Sequence, residues 1–193
     1  MKISRLVSII LALTFFGCSD DIQILEERIK TQAELNNTEI SSVEIKKTAL
    51  YLNAWSKKDF YEDAIDGFLE EDKLDFPKEV EVLFTGSSSI RFWNSLEDDM
   101  QPLKVLNRGF GGAHIAHVNH HFEDVIQRYS PKAIVFFCGT NDLTALKTPE
   151  ETIQDFVILK EKVHQALPGV HLFVIGIKPS PARVYLEKEE IAY

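Results

Sequence analysis

The serine-rich segment at residues 86–89 (GSSS) follows an apolar run and could do nucleophilic chemistry. A serine hydroxyl attacks an ester carbonyl only when a positioned base takes its proton, so the segment by itself is equally consistent with a polar turn. Two further polar segments that contain glycine also follow apolar runs, at residues 107–112 (NRGFGG) and 139–142 (GTND). Each of the three is typical of an ordinary turn or helix cap. If the three segments lie together in the fold, they favour a ligand-binding or catalytic site.

Four apolar runs, separated by segments with helical patterns, predict the elements that would position these residues. The runs are residues 80–86, 103–109, 132–139 and 170–178. Strands that are apolar almost throughout are typical of a parallel sheet covered by helices on both faces. We therefore predict an α/β fold with three layers, α/β/α. In such a sheet ligands bind at the carboxyl ends of the strands, where the three polar segments would meet.

The clearest predicted helix lies between the third and fourth apolar runs. Thr148 is its predicted N-cap, Pro149 takes the first helical position and Glu151 completes a capping box. Pro168-Gly169 ends the pattern.

Nucleotide-binding motifs do not account for the glycine-rich segment. In residues 109–114 (GFGGAH), His114 stands where a dinucleotide-binding fingerprint requires its third glycine, and the segment follows the second strand. A phosphate-binding loop is excluded as well, because the Gly-Lys-Ser/Thr ending is missing.

In combination, the three polar segments resemble the SGNH (GDSL) hydrolases, a family of serine esterases and acylhydrolases with a flavodoxin-like fold. The resemblance covers about residues 80–183, and residues 177–183 (IKPSPAR) fit a Gly-Ser-Ser-Ser-Ile-Arg subgroup. In that subgroup Ser87 stands where other members carry aspartate. The resemblance implies hydrolysis of small acyl esters, such as acetylated carbohydrates or lysophospholipid-like substrates.

The same resemblance implies the roles of individual residues. Ser88 would be the nucleophile. The backbone N–H groups of Ser88 and Gly112 and the side-chain amide of Asn141 would form the oxyanion hole. The chemistry agrees, because a serine at the start of a helix is exposed among unpaired backbone amides. Loss of one such donor typically costs about 2.7 to 4 kcal/mol of barrier.

The family's usual base is missing from the sequence. SGNH hydrolases take the histidine base and its orienting aspartate from one Asp-x-x-His segment after a fifth strand, and no Asp-x-x-His occurs in the 193 residues. We therefore expect a chain that is incomplete at its C-terminus, lacks the last strand and the catalytic Asp/His loop, and is inactive or impaired. Glu161 and His164 have a similar spacing, but their helix would place them at the opposite edge of the sheet. A non-catalytic ligand-binding lipoprotein, or a remnant that does not fold, stays open as an alternative.

Three histidines near the second polar segment could have another role. His114, His117 and His121 are spaced i, i+3 and i+7 on a predicted helix, so they could bind zinc or copper or form a solvent-facing polar stripe. His114 also follows Gly112 closely and could reach the site. Because the esterase chemistry requires no metal, we predict neither a metal nor a cofactor.

Residues 1–17 predict a signal peptide. Lys2 and Arg5 precede an apolar run, residues 6–16, that is too short to span a bilayer comfortably. Gly17-Cys18 resembles the cleavage region of a bacterial lipoprotein, in which Cys18 would carry the lipid. A plain signal peptide is the alternative. We therefore expect an exported, membrane-tethered lipoprotein.

Composition and charge are typical of one globular domain. Of the 193 residues, 45% are hydrophobic and 26% are charged, and the net charge of -9 argues against binding to a nucleic-acid backbone. We predict a tether and a loosely packed helix over residues 18–56, and the hydrolase-like domain over residues 57–193. Cys138 is expected to pack in the core without a disulfide. The expected partners are a small acyl ester and, through the lipid anchor, a membrane.

Overall fold

The computed structural model describes residues 18–177, with side chains from residue 21 onward. The predicted signal peptide (1–17), the side chain of Cys18 and all but the first residue of the segment 177–183 lie outside the described residues. The strands are β1 Val82–Gly86, β2 Val105–Gly109, β3 Ala133–Phe137 and β4 His171–Val174. The α-helices are α1 Cys18–Leu35, α2 Ser42–Trp55, α3 Glu62–Leu74, α4 Ser88–Arg91, α5 Leu96–Asp99, α6 Ile115–His120, α7 Phe122–Val125, α8 Thr140–Thr144 and α9 Pro149–Ala166. Within this part of the chain, none of the helices combines the length and the apolarity needed to cross a bilayer.

The four strands of the described residues form one parallel sheet in the order β2-β1-β3-β4. This is the order of a flavodoxin-like sheet, so the predicted α/β fold is confirmed. Gly86 at the end of β1 pairs with Gly109 of β2 and with Phe137 of β3. The three strands that precede the polar segments therefore end at the same level, and all three segments leave from one edge of the sheet.

Helices cover both faces of the sheet. Successive side chains of a strand point to opposite faces, so each face has its own apolar core. Leu83 of β1 and Phe136 of β3 belong to a core that they share with α3, α6, α7 and α9. Phe84 points to the other face and packs with Ile90 of α4 and Leu96 of α5. The domain therefore has the predicted three layers, one of which consists of two short helices.

Helix α9 begins as the sequence predicts. The Thr148 hydroxyl accepts a hydrogen bond from the backbone N–H of Glu151 (3.2 Å), and the Glu151 carboxylate accepts one from the N–H of Thr148 (2.8 Å). Pro149 occupies the first helical position. The helix ends at Ala166, and the chain then enters β4. It forms the crossover between two parallel strands.

The structure differs from the prediction over residues 18–56. Instead of a tether and a loosely packed helix, this segment forms α1 and α2, whose apolar side chains Ile29, Ile45 and Leu52 are buried against each other and against Ala145 after β3. The apolar positions of these helices are few and lie among charged residues. Their pattern alone therefore does not show that they have a partner surface.

Arg28 fixes α1 to the rest of the domain. Its guanidinium donates to the carbonyl oxygen of Leu146 (2.7 Å), which lies 118 positions along the chain. It also donates to both carboxylate oxygens of Glu151, at 2.8 Å each. These contacts lie beside the segment that follows β3, so the N-terminal helices are packed close to one of the polar segments.

A buried ion pair joins the edge strand β2 to α3. Arg108 donates to Asp72 at 2.6 Å. The Tyr129 hydroxyl accepts from Arg108 (2.7 Å) and donates to Asp72 (2.6 Å). Burial, together with the hydrogen bond to Asp72, raises the pKa of Tyr129 to about 12, so the hydroxyl stays protonated. Since buried charges are tolerated only when they are paired and hydrogen-bonded, this hydroxyl completes the cluster.

Replacing Tyr129 by phenylalanine removes one hydrogen bond from each buried charge. We expect the free energy of unfolding to fall by about 3 kcal/mol or more, because each of the two hydrogen bonds to a charged group usually contributes about 1.5 to 3 kcal/mol. Urea unfolding followed by circular dichroism at pH 7 measures it. Tyr51→Phe is the control, because the Tyr51 side chain is 60% exposed. Equal unfolding midpoints for the two variants would show that the Tyr129 hydroxyl does not stabilise the fold.

Candidate active site

Ser88 lies directly beyond the end of β1, where the chain turns into α4. The turn is held by the N–H of Ser87, which donates to the carbonyl oxygen of Phe137 in β3 (2.9 Å). Gly86 permits this crossing, since its φ is +127° and a Cβ there would lie 2.0 Å from the Phe137 oxygen. Ser88 is half-buried, and its hydroxyl makes no hydrogen bond to another described residue. The predicted nucleophile therefore begins a helix with its hydroxyl not engaged by the protein part described.

Helix α4 packs directly on the end of β2. A Cβ at Gly109 would lie 2.7 Å from the backbone nitrogen of Arg91 and 2.8 Å from Cβ of Ile90, so only glycine allows this approach. Asn107 ties the two elements together, because its Nδ2 donates to the Ile90 carbonyl (2.7 Å) and its Oδ1 accepts from the Gly109 N–H (2.9 Å). Asn107 thus positions the helix that begins with Ser88, a role that no local pattern in the sequence predicts.

Gly112 lies in the loop between β2 and α6, in the left-handed region with φ of +79°. Its carbonyl oxygen accepts a hydrogen bond from the indole nitrogen of Trp55 (3.0 Å). A Cβ at this position would lie 2.2 Å from the hydroxyl oxygen of Tyr61. Both the backbone conformation and the neighbouring hydroxyl therefore require glycine here.

Asn141 is half-buried at the start of α8. Its Nδ2 donates to the carbonyl oxygen of Ala113 (2.9 Å), and the Cys138 thiol donates to the same oxygen (3.2 Å). Because Ala113 directly follows Gly112, this hydrogen bond brings Asn141 next to Gly112 in space. The second hydrogen of the Asn141 amide stays available for a ligand.

Asp142 is a fully buried carboxylate beside these residues. It accepts hydrogen bonds from the backbone N–H of Ile115 (3.1 Å) and from Lys147 (3.0 Å), which also donates to Asp155 (2.6 Å). Burial raises the pKa of Asp142 to about 6, although Lys147 acts in the opposite direction. The carboxylate therefore holds the start of α6 against α8. In the sequence this aspartate is typical of a turn, because nothing local indicates its burial.

Ser88, Gly112 and Asn141 are thus positioned at one edge of the sheet. The strands before them end in register, and Gly112 and Asn141 are joined through Ala113. An oxyanion hole requires donors that converge on one oxygen atom, and the common edge of the sheet is compatible with that requirement. The catalytic and oxyanion roles of these residues stay predictions.

His114 and His117 are buried in the core and are not a solvent-facing stripe, so that expectation is wrong. The His114 ring lies between Trp55 and the His117 ring, with centroids 4.5 and 4.7 Å away. Nδ1 of His117 accepts from the His114 N–H (2.9 Å), and its Nε2 lies 2.9 Å from the Lys57 carbonyl, to which it can only donate. Within residues 21–177, no group of three histidine, cysteine or acidic side chains is placed to hold a metal ion.

Burial lowers the pKa of His114 to about 2 and that of His117 to about 4, so both are neutral at pH 7. A base with so low a pKa is poorly matched to serine activation near neutral pH. Glu161 and His164 are exposed on α9, which leads into the amino end of β4, and they lie away from the edge that carries Ser88. Among the described residues, no histidine is hydrogen-bonded to Ser88.

A cavity of about 570 Å³ borders α4 and the end of β2. Its wall combines charged and amide side chains with aromatic rings, among them Phe68, Glu71, Arg91, Trp93 and Asn107. Arg91 connects the cavity to the glycine-rich segment, since a Cβ at Gly111 would lie 3.1 Å from its Nη1 atom. The cavity therefore adjoins the loop that carries Gly112.

Residues 83–191 match the GDSL-like lipase/acylhydrolase family. The chain belongs to this family. The match spans more than half of the sequence and includes all three polar segments, so the resemblance inferred from them is confirmed. The Gly-Ser-Ser-Ser-Ile-Arg subgroup stays a prediction. No curated protein matches the sequence.

Solved structures share the fold of this GDSL-family chain. A Streptococcus pneumonia protein assigned as a platelet activating factor is 19% identical with a TM-score of 0.59, over 71% of this chain and 63% of that one. A GDSL-like lipase from Bacteroides thetaiotaomicron is 18% identical with a TM-score of 0.54, over 66% of this chain and 65% of that one. A Bacteroides fragilis protein assigned as an acylhydrolase is 20% identical with a TM-score of 0.52, over 62% and 61%. The chain spans less than two thirds of each of these structures.

Proposed function

We propose that this GDSL-family protein is an exported ester hydrolase that acts on small acyl esters with Ser88 as its nucleophile. The observation that carries the proposal is the common edge of the sheet. Ser88 follows the end of β1 there, and Asn141 is hydrogen-bonded to Ala113, the neighbour of Gly112. A serine hydroxyl that the protein does not engage, at the same edge as such donors, is what acyl transfer needs.

In the proposed reaction the Ser88 oxygen attacks the ester carbonyl carbon and gives up its proton to a base. The negative charge on the carbonyl oxygen is held by the N–H groups of Ser88 and Gly112 and by the Asn141 amide. The alcohol then leaves with a proton, and water hydrolyses the acyl-enzyme. Since the 193 residues contain no Asp-x-x-His, we expect the reaction to be slow in this chain.

Ser88, Gly112 and Asn141 do not line the cavity beside α4, so this cavity would bind a part of the substrate away from the reacting ester. Its wall supports a carbohydrate as that part. Arg91, Asn107 and Glu71 offer both donors and acceptors for hydroxyl groups, and Trp93 offers an aromatic surface. A lysophospholipid-like chain would instead need an apolar wall, because burying these polar groups unpaired is costly. We therefore favour an acetylated carbohydrate over a lipid ester.

We also propose that the protein is tethered to a membrane through a lipid on Cys18. The support is the N-terminal pattern, in which Lys2 and Arg5 precede a short apolar run that ends at Gly17-Cys18. Such an anchor leaves the hydrolase domain outside the bilayer.

The test is acetate release from an acetylated xylo-oligosaccharide and from p-nitrophenyl acetate, with lysophosphatidylcholine as the lipid comparison. We expect release of acetate that is lost in Ser88→Ala and kept in Ser89→Ala, a matched control because Ser89 is the exposed neighbour. Equal rates for the parent protein and Ser88→Ala would refute the proposed nucleophile. Faster release of fatty acid than of acetate would refute the carbohydrate preference.

A non-catalytic ligand-binding lipoprotein is the second candidate. It is favoured by one observation, namely that no described histidine is hydrogen-bonded to the Ser88 hydroxyl. On this hypothesis, calorimetry would detect saturable binding of the acetylated oligosaccharide with no acetate release, and Ser88→Ala would leave the affinity unchanged.

A further inference from the structure

We propose that Trp55 and Tyr61 are positioning residues that hold Gly112 in place as an oxyanion donor. Both side chains lie ahead of residues 83–191, the part of the chain that matches the family. The inference rests on the proposed function, because it assigns a task in the reaction at Ser88. It makes the N-terminal helices part of the active site.

The direct contact is a hydrogen bond from the Trp55 indole to the Gly112 carbonyl (3.0 Å). The same indole N–H also points to the Tyr61 hydroxyl, at 2.8 Å. That hydroxyl occupies the space that a Cβ at Gly112 would need, 2.2 Å away. Trp55 and Tyr61 therefore form a surface that accepts only glycine and binds its carbonyl group.

This contact constrains the Gly112 N–H as well. Peptide planes are rigid, so only the two dihedral angles of Gly112 separate its N–H from its bound carbonyl. The next carbonyl, that of Ala113, is bound by Asn141 and Cys138. Two consecutive carbonyls are thus fixed, one by the N-terminal segment and one by the segment after β3. Without the first contact, the donor would be held from one side only.

Ring contacts extend the same surface along the loop. The Tyr61 ring packs edge-on against Phe110 (5.5 Å between centroids) and His117 (4.9 Å). The Trp55 ring packs on His114 at 4.5 Å. Ring contacts therefore hold the loop both before and after Gly112.

The N-terminal helices are themselves fixed to the segment that carries Asn141. Leu52 of α2 and Ala145 belong to one buried cluster, and Arg28 of α1 donates to the Leu146 carbonyl at 2.7 Å. The same pair of helices thus contacts both loops that carry the predicted oxyanion donors.

The test replaces Trp55 by phenylalanine, which keeps a ring against His114 but removes the hydrogen-bond donor. With p-nitrophenyl acetate we expect kcat to fall by about 10- to 100-fold, as a small misplacement of a catalytic group costs, while KM stays within about twofold. We expect Tm to fall by no more than about 4 °C. Tyr61→Phe is the second variant. The control is Tyr51→Phe, because Tyr51 is exposed on α2, the helix that ends with Trp55, and we expect it to leave kcat unchanged.

A second measurement does not depend on turnover. Amide hydrogen exchange of residues 109–117 is expected to be about tenfold faster in Trp55→Phe than in the parent, as loss of one hydrogen bond implies, and unchanged in Tyr51→Phe. If the parent shows no Ser88-dependent hydrolysis, the proposed function fails, and the exchange result alone decides whether Trp55 holds the loop. Unchanged exchange, or a fall in kcat matched by an equal change in KM, overturns the positioning role.

Discussion

Replacing Asn141 by alanine is expected to lower kcat for acetyl ester hydrolysis by about 10²- to 10³-fold, the usual loss when one oxyanion donor is removed. The Asn141 amide uses one hydrogen to bind the Ala113 carbonyl at 2.9 Å, and the other is available for the substrate oxygen. KM for p-nitrophenyl acetate should change little, because the donor acts mainly on the charge that develops in the transition state.

The expected loss does not depend on which group serves as the base. In serine hydrolases the oxyanion hole and substrate binding still accelerate the reaction when members of the catalytic triad are removed. A slow reaction of this chain should therefore still slow further in Asn141→Ala.

Cys138→Ala is the control that isolates the substrate contact. The Cys138 thiol is the other donor to the Ala113 carbonyl, at 3.2 Å, and it is buried, so it cannot touch the substrate. We expect this variant to keep kcat within about threefold of the parent, since a thiol is a weak donor. Equal losses in the two variants would mean that Asn141 only supports the loop and is not an oxyanion donor.

The sheet and the common edge of the polar segments were predictable because they depend on local patterns. A run such as residues 132–139 is apolar at every position after Lys132, which is typical of a strand covered on both faces, and the observed β3 lies within it. The capping residues of α9 act over three positions, so Thr148 and Glu151 could be identified from their spacing alone.

The surroundings of the candidate site could not be predicted in this way. The spacing of His114 and His117 indicates a shared helix face but not its direction, and both rings prove to be buried. Their partner Trp55 is about sixty positions away, so no local pattern connects them. The packing of residues 18–56 could not be predicted for the same reason, because the residues that bury these helices, such as Ala145, lie far along the chain.

The burial of these histidines should make the protein sensitive to acid. We expect the free energy of unfolding to fall by about 3 kcal/mol between pH 7 and pH 4.5. An unfolded histidine titrates at about 6.5, whereas burial lowers the pKa of His114 to about 2 and that of His117 to about 4. Because both values are lower in the folded state, the stability is present above 6.5 and is lost as the pH falls.

Asp142 acts in the opposite direction. Burial raises its pKa from 3.8 to about 6, so the folded state takes up a proton first and gains stability as the pH falls between these values. Between pH 7 and pH 4.5 the two histidines together lower the free energy of unfolding by about 5 kcal/mol, and Asp142 raises it by about 2 kcal/mol. The histidines therefore decide the direction of the change.

Urea unfolding at pH 7 and at pH 4.5 measures the loss, and His114→Phe identifies its source. Both ring nitrogens of His114 are buried without a hydrogen-bond partner among the described residues, so phenylalanine should be tolerated at pH 7. We expect the pH-dependent loss to shrink to less than about 1 kcal/mol in this variant. His164→Gln, at an exposed position on α9, should keep the full loss. If His114→Phe lost as much stability in acid as the parent, the neutral, buried state of this histidine would not be the cause of the acid sensitivity.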